Sequence, residues 1–522
     1  MTGAEILLET LVSNGIEFCF MNPGTSEMHF VAALDRVHGC RGVLCLFEGV
    51  CAGAADGYAR MTGKPAAILT HLGPGLGNAL SNLHNARKAR VPVVSIVGEH
   101  TRSHLTYDAP LSADVGAFAK PVSEFVRTAK GPDDIAQAAS ETIAAAMAAP
   151  GQVATLIIPA DLSWSEARSA GPVVSADAPK AVEMETIRSA ATLLTGDRAG
   201  ILLGGKSLND RAFEAAARIA ESTGVRIFMD RYAPKLPSGS GRFQPHRIPY
   251  FPEAALPLLA NLDHMILVES QAPVTFFGYP NSPSYLLPEH CKVFSLADRT
   301  EDGTCAMERL ALFAAGSSNP GHSPPFAGSA NAPARVAFED SDPISAAVLG
   351  ITIADLLPEN TIVSDEMISM GPQVLPYLLT ARKHDQLPVT GGSIGQGLPV
   401  ALGAALACPD RKVLALEADG SGMYTPQTLW TIAREQLDVV TVILANRRYR
   451  ILDVEMKRTG AHGYGPRAEE MISIGRPDID WVKLSESMGV PAIRVETAGE
   501  FAAEFRRAMG TRGARLIEAV IA

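Results

Sequence analysis

Short apolar runs of strand length alternate with longer Ala- and Leu-rich stretches from one end of this chain to the other, and that rhythm limits the fold more than any other feature. Residues 5–14 read as a helix with Ile6, Leu7, Thr10 and Leu11 on one face, and 16–20 as a short strand closed by Asn22-Pro23-Gly24. Residues 43–47, 66–70, 91–97 and 153–158 are further apolar runs of strand length, each followed by helical sequence. Strands this uniformly apolar are buried on both faces, which a parallel sheet covered by crossover helices provides. The expected fold class is therefore α/β, built of doubly wound parallel sheets. The rhythm pauses at 163–179, rich in Ser, Ala and Pro, and at 316–342, which holds Gly, Ser, Pro, Asn and Ala with hardly any large apolar side chain. A chain of 522 residues is too long for one ordinary domain. The pauses divide it into 1–165, 180–315 and 340–522. The middle unit has its own strands at 200–203 and 264–268, and the last has strands at 361–363, 413–416 and 439–444.

Composition removes several classes of function. The formal net charge is −11 and no run of Lys or Arg occurs, so no nucleic-acid surface is expected. No stretch of about 18 uncharged apolar residues is present, and no membrane span is expected. The first residues lack the basic and apolar regions of a secretory signal, and a cytoplasmic location follows. The seven cysteines show no Cys-x-x-Cys pair or regular spacing, and read as buried thiols in a reducing compartment.

The most informative segment begins at residue 413. A strand there ends in Ala418-Asp419-Gly420-Ser421-Gly422, a helix is expected over 425–434, and the next strand ends at Asn446. Asp419 and Asn446 are 27 residues apart, one crossover, and both fall at the carboxyl ends of consecutive strands, where open α/β sheets bind ligands. Mg²⁺ takes about six oxygens, usually one or two protein side chains together with phosphate oxygens. Asp419, the amide oxygen of Asn446 and the backbone carbonyl of Arg448 would supply half that shell. Gly420, Ser421 and Gly422 leave backbone N–H groups at a helix start, where a phosphate is favoured. Asp-Gly-Ser alone would read as a plain capping turn; Asn446 at this spacing points instead to a ligand pair. A second candidate is Glu48, set between an apolar strand and a small-residue helix carrying Ala52, Ala55, Asp56, Gly57, Tyr58, Ala59 and Arg60. Such a carboxylate is partly desolvated and prepared to donate or share a proton. A first-turn Glu favoured by the helix dipole is the blander alternative.

The 418–446 segment resembles the cofactor signature of the thiamine diphosphate-dependent enzymes, Gly-Asp-Gly followed one crossover later by Asn-Asn. Ala418 and Ala445 replace the first Gly and the first Asn, and the ligating Asp419 and Asn446 are kept. The stretch Glu48-x-x-Cys-Ala-x-Ala-Ala-Asp-Gly-Tyr-Ala-Arg60 resembles the family's pyrimidine-binding segment. There the Glu hydrogen-bonds the aminopyrimidine ring and promotes loss of the thiazolium C2 proton. The resemblance extends to Asn22-Pro23-Gly24, Gly73-Pro74-Gly75 and residues 391–399, and implies a pyrimidine-binding first domain, a Rossmann-like central domain and a diphosphate-binding third domain. It implies thiamine diphosphate and Mg²⁺ as cofactors. It also implies Ile394 as the residue that props the cofactor into its bent form, Ser393 as a backbone acceptor for the 4′-amino group, and Glu366 at the cofactor end of the site or, equally, as a solvated loop acid.

The nearest family resemblance is to acetolactate synthase-like proteins and benzoylformate decarboxylase, which act on 2-oxo acids. His71, before Gly73-Pro74-Gly75-Leu76-Gly77-Asn78-Ala79, matches an acid/base His of the decarboxylase, and Thr25 matches a Ser that holds the substrate carboxylate. An imidazole suits proton delivery; a structural His at a strand end is the even alternative. A second decarboxylase His has no counterpart in residues 272–279, where Phe276, Phe277 and Tyr279 could line an apolar pocket or belong to a core. His84, His100 and His104 read as structural or pocket-edge residues. Acetolactate synthases carry a flavin in the central domain. Here Gly204-Gly205 follows a strand, no Gly-x-Gly-x-x-Gly occurs, and no flavin is expected. The resemblance implies a homodimer or homotetramer with the site at a subunit interface, acting on a small-molecule 2-oxo acid or acyl donor. The expected activity is decarboxylation or carboligation, with an acetolactate synthase-type carboligase as one alternative and a catalytically inactive cofactor-binding or regulatory relative as another.

Overall fold

A computed structural model describes residues 1–168, 170–175, 178–314, 332–461 and 465–521. Three sheets form in succession. The first has six parallel strands in the order Arg41–Leu44, Phe18–Met21, Ala66–Thr70, Val93–Glu99, Val153–Pro159, Phe125–Thr128. The second has five parallel strands in the order His246–Arg247, Arg226–Met229, Ala199–Leu203, His264–Val268, Lys292–Ala297. The third has seven in the order Ala492–Val495, Arg515–Val520, Val439–Ala445, Val413–Ala418, Ile362–Glu366, His384–Pro388, Leu236–Ser238. Its last strand comes from the central part of the chain and pairs antiparallel, with His384 opposite Ser238. The inner strands are buried along their whole length, as their composition requires.

Most boundaries move by a residue or two, and two of the differences have identifiable reasons. The apolar run over 43–47 is not all strand. Pairing with Phe18–Met21 ends at Leu44, Leu46 is left 46% exposed, and Phe47 caps the helix Glu48–Thr62. The helix expected from 425 begins at Thr428, after a separate helical turn at Asp419–Gly422. Pro426 disfavours helical geometry at Thr425 and divides the two. Of the expected pause at 316–342, residues 316–331 lie outside the described residues, as do 169, 176 and 177 in the earlier one.

The first and third domains meet through two helices, Glu48–Thr62 and Gly397–Ala407. Small residues let their backbones nearly touch. A Cβ at Gly403 would lie 1.9 Å from the Ala54 carbonyl oxygen, and one at Gly57 would lie 2.2 Å from that of Val400. Arg60 fastens the crossing. It pairs with Asp56, both side chains fully buried, and donates to the Pro388 carbonyl at 2.8 Å and the Thr390 hydroxyl at 2.9 Å. One apolar core runs across the contact, from Val50 and Ala54 to Val400 and Ala404. All seven cysteines are free thiols, and among the described residues no helix is long and apolar enough to cross a membrane.

Candidate active site

The carboxyl ends of the first sheet's strands bring Thr25, Glu48 and His71 to one edge. His71 caps the helix Leu72–Ala89, and Gly24 lies against its ring: a Cβ on Gly24 would be 2.4 Å from the imidazole. His71 Nδ1 is 2.8 Å from Oε2 of Glu27, which also accepts the Gly24 N–H at 2.8 Å. Burial pushes the Glu27 carboxyl above its usual range, and the facing imidazole and the Gly24 amide pull it back. A carboxylate at Nδ1 keeps the proton on that nitrogen and leaves Nε2 as the working atom of the ring. Glu48 is buried at the first turn of its helix and accepts from Asn78 Nδ2 at 3.0 Å. Gly75 separates the two groups: a Cβ there would stand 3.2 Å from Glu48 Oε1 and 3.5 Å from His71 Cβ. Thr25 is exposed at the rim.

The third sheet builds the second half. Strands Val413–Ala418 and Val439–Ala445 are parallel neighbours with Ala418 opposite Leu444, so Asp419 and Asn446 emerge side by side. Asp419 is buried, and its oxygens accept from the Gly420 N–H at 2.8 Å and the Arg447 N–H at 2.5 Å. Burial pushes its carboxyl up to about 6, against the pull of those amides. Asn446 Oδ1 accepts the Arg448 N–H at 2.9 Å, and the Arg448 guanidinium is held by Asp453 and Glu469. Tyr449 lies over Gly420, where a Cβ would be 2.5 Å from its ring. Ser421 is buried and donates to Glu417 Oε1 at 2.6 Å. A carboxylate, an amide oxygen and a carbonyl beside a glycine-rich helical turn are donors that suit a hard divalent cation and a neighbouring phosphate. Among the described residues no three His, Cys, Asp or Glu side chains cluster as an all-protein metal cage, which such a shared site does not need.

Between the halves runs the loop carrying Ser393 and Ile394. Glu366, fully buried beneath it, accepts the Gly395 N–H at 2.8 Å and the Gly397 N–H. Burial lifts the Glu366 carboxyl to about 7 and, with the charge of Glu366 beside it, lifts that of Glu417 well above the usual carboxylate range. The carboxylate of Glu366 is thus directed at the loop's amides. From above, Asn85 grips Ser393, donating to its carbonyl at 2.7 Å and accepting its N–H at 3.2 Å. Asn82 Nδ2 bridges the carbonyls of Gly49, at 2.9 Å, and Gly395, at 3.1 Å. His84 reaches the Gly391 carbonyl at 3.2 Å. Phe276 packs on Gly392, against Tyr232 and Tyr250, with Phe277 exposed beside it; Tyr279 is buried and bonds Glu455.

Glu27 and Glu417, and the bonding roles of Asn82 and Asn85, escaped the sequence reading. Gly24-x-x-Glu27 has the three-residue spacing of a capping turn, which is a usable signal. Asn78, Asn82 and Asn85 recur at helical spacing as a polar stripe on a helix otherwise facing core.

Buried carboxylates at the strand ends of two separate sheets, Glu48 on one and Asp419 on the other, are the arrangement of a cofactor-dependent α/β enzyme. The chain belongs to the thiamine pyrophosphate enzyme family: residues 1–119 match its N-terminal TPP binding domain and residues 375–519 its C-terminal TPP binding domain. It is 46% identical to the Mycobacterium tuberculosis protein named "Putative acetolactate synthase large subunit IlvX", over 100% of this chain and 99% of that one. It is 26% identical to the benzoylformate decarboxylase of Pseudomonas aeruginosa, covering 98% of this chain and 97% of the other. Among solved structures, the thiamine diphosphate-dependent 4-hydroxybenzoylformate decarboxylase of Rhodococcus jostii superposes with a TM-score of 0.86 at 24% identity, covering 100% and 99% of the two chains. The benzoylformate decarboxylase of Polynucleobacter necessarius gives 0.85 at 20% identity, covering 100% and 98%.

Proposed function

We propose that this protein is a thiamine diphosphate- and Mg²⁺-dependent decarboxylase of a 2-oxo acid, of the benzoylformate decarboxylase kind. The observation that carries the reading is the His71–Glu27 pair at 2.8 Å, on the same strand-end edge as Glu48, with Gly75 between the Glu48 carboxylate and the His71 Cβ. When bound, thiamine diphosphate supplies a carbon nucleophile and an electron sink, which a 2-oxo acid needs to lose CO₂. Glu48, oriented by the Asn78 amide, would exchange a proton with the cofactor's aminopyrimidine. His71 Nε2 exchanges a proton with the reacting centre, its tautomer set by Glu27. Thr25, at the rim, holds the substrate carboxylate. Asp419, Asn446 and the Arg448 carbonyl would hold the cation, and Gly420 and Ser421 would hold the diphosphate. Ser393 and Ile394 would support the cofactor, with Glu366 acting through their loop. Phe276, packed on Gly392 one residue before Ser393, and the exposed Phe277 offer apolar surface to an aromatic or branched acid.

The identity of 46% to a protein named for acetolactate synthase favours a second reading, carboligation of the same first product with another carbonyl. Exposed apolar side chains support a second copy of the chain completing the site. Met28, Leu46, Tyr107, Leu111 and Trp164 all follow carboxyl ends of first-domain strands, while Met423 and Tyr424 adjoin the Asp419 turn. The deciding experiment is CO₂ release by the protein with thiamine diphosphate and Mg²⁺ across a panel of 2-oxo acids, with products identified. A free aldehyde establishes the decarboxylase; an acyloin or acetolactate moves the assignment to a carboligase. Cofactor binding without release from any acid leaves the inactive relative.

A further inference from the structure

The central sheet runs, in order of appearance along the chain, outward on one side from Ala199–Leu203 through Arg226–Met229 to His246–Arg247, and on the other through His264–Val268 to Lys292–Ala297. Strand order therefore reverses between Ala199–Leu203 and His264–Val268. In doubly wound sheets the crevice at such a reversal seats a nucleotide's phosphates, on the turn after the first strand. That turn here is Gly204-Gly205-Lys206-Ser207, and the residue that leaves the facing strand is Glu269.

Glu269 fills the crevice with its own side chain. Its carboxylate accepts the Lys206 N–H at 2.7 Å, the Ser207 hydroxyl at 2.6 Å and the Gly303 N–H at 3.2 Å, the last at the start of the helix Gly303–Ala314. The residue is 4% exposed and adopts a φ of +51°, a left-handed backbone uncommon for any side chain but glycine. The fit is tight: a Cβ on Gly205 would be 2.6 Å from one carboxylate oxygen, and a Cβ on Gly303 would be 2.7 Å from the other. Backbone amides, a hydroxyl and a helix start converging on one buried negative group make an anion site with its anion built in.

From this geometry we infer that the diphosphate seat of the central domain is occupied by Glu269, and that the flavin expected of an acetolactate synthase has no place here. The residues do not fit that group: its phosphates would meet a buried carboxylate of like charge that already holds the donors they need. Space is not the obstacle, because the seat opens onto a cleft of about 1080 Å³ between the first and central domains, bordered by Lys206, Arg231 and Arg299. Glu269 takes the donors of a crevice otherwise roomy and bordered by cations, and it does so whichever reaction the enzyme performs.

The test uses the holoenzyme saturated with thiamine diphosphate and Mg²⁺, so that its own diphosphate site cannot contribute. FAD titrated into the wild type is expected to give no saturable quenching of flavin fluorescence. Glu269→Gly suits the left-handed backbone and vacates the seat. It should bind ADP at least tenfold more tightly than the wild type by calorimetry, and Glu269→Gln, which removes the charge but keeps the shape, should show a smaller gain. Stoichiometric binding of FAD to the wild type overturns the inference. So does ADP binding by both variants no tighter than that of the wild type. If the glycine variant does not fold, the wild-type FAD titration and the glutamine variant still decide.

Discussion

Gly403→Ala places one methyl group where the two domain-joining helices cross, and the structure sets its cost. The new Cβ would start 1.9 Å from the Ala54 carbonyl oxygen and 2.7 Å from the Tyr58 nitrogen. Comfortable contact is about 3.5 Å, so the helices must part by roughly 1.5 Å. Both resisting atoms are backbone and cannot rotate aside, which puts the change at the upper end of the usual overpacking penalty, about 3 kcal/mol. Alanine in place of glycine within a helix recovers about 1 kcal/mol, leaving a net loss of about 2 kcal/mol. Gly510 is the matched control: it ends the helix Ala498–Gly510, and its Cβ would meet no atom within 4 Å. Urea unfolding of the two variants beside the wild type should show Gly403→Ala destabilised and Gly510→Ala unchanged or slightly stabilised. A Gly403→Ala protein as stable as its control would refute the close crossing of Glu48–Thr62 and Gly397–Ala407.

Four further outcomes are expected. Glu48→Gln should bind thiamine diphosphate and lose at least about 100-fold in turnover; full activity would remove Glu48 from the mechanism. Asp419→Ala should lose metal-dependent cofactor affinity by about tenfold or more in a Mg²⁺ titration, because a buried hard ligand disappears. Glu27→Gln exchanges a charge-assisted bond to His71 for a neutral one, a loss of about 1.5 kcal/mol or roughly tenfold in kcat with cofactor affinity unchanged; an equal kcat would return His71 to a structural role. The fourth concerns pH. Glu366, lifted to about 7, and Glu417, lifted well above the usual range, hold protons in the folded state that the unfolded chain releases near 4.5. Their contribution to stability is full below about 4.5 and is lost as pH rises through 7 and beyond. Glu417→Gln removes one of the titrating groups, so its melting temperature should gain on the wild type as pH rises above the ordinary carboxylate range, and a constant difference would contradict the pairing.

Where sequence and structure agree, the reason is local. Residues 66–70 and 264–268 are strands to the residue, because compact apolar runs there are bounded by polar or turn-forming neighbours. Residues 43–47 mislead because apolarity marks burial and not pairing: Cys45 is buried, yet the partner strand ends at Met21. Asp419 and Asn446 could be placed because strand ends one crossover apart are necessarily neighbours in a parallel pair. Partners distant in sequence could not be read. Glu27 meets His71 across 44 residues, Asn85 meets Ser393 across 308, and Glu269 meets Ser207 across 62. No periodicity encodes such pairs, since tertiary packing creates them. Leu236–Ser238 is three residues with a central proline, too short to carry any strand signal.

That short strand has a mechanical consequence. It leaves the central part of the chain to cover the His384–Pro388 edge of a sheet whose other strands lie beyond residue 360. The stretch from Ala314 to Ala332 is therefore not the sole tether between the halves. A protein cut there, or expressed as two fragments divided there, should remain one particle on gel filtration, its pieces clasped by the inserted strand and the glycine-lined helix crossing, and should separate only on unfolding.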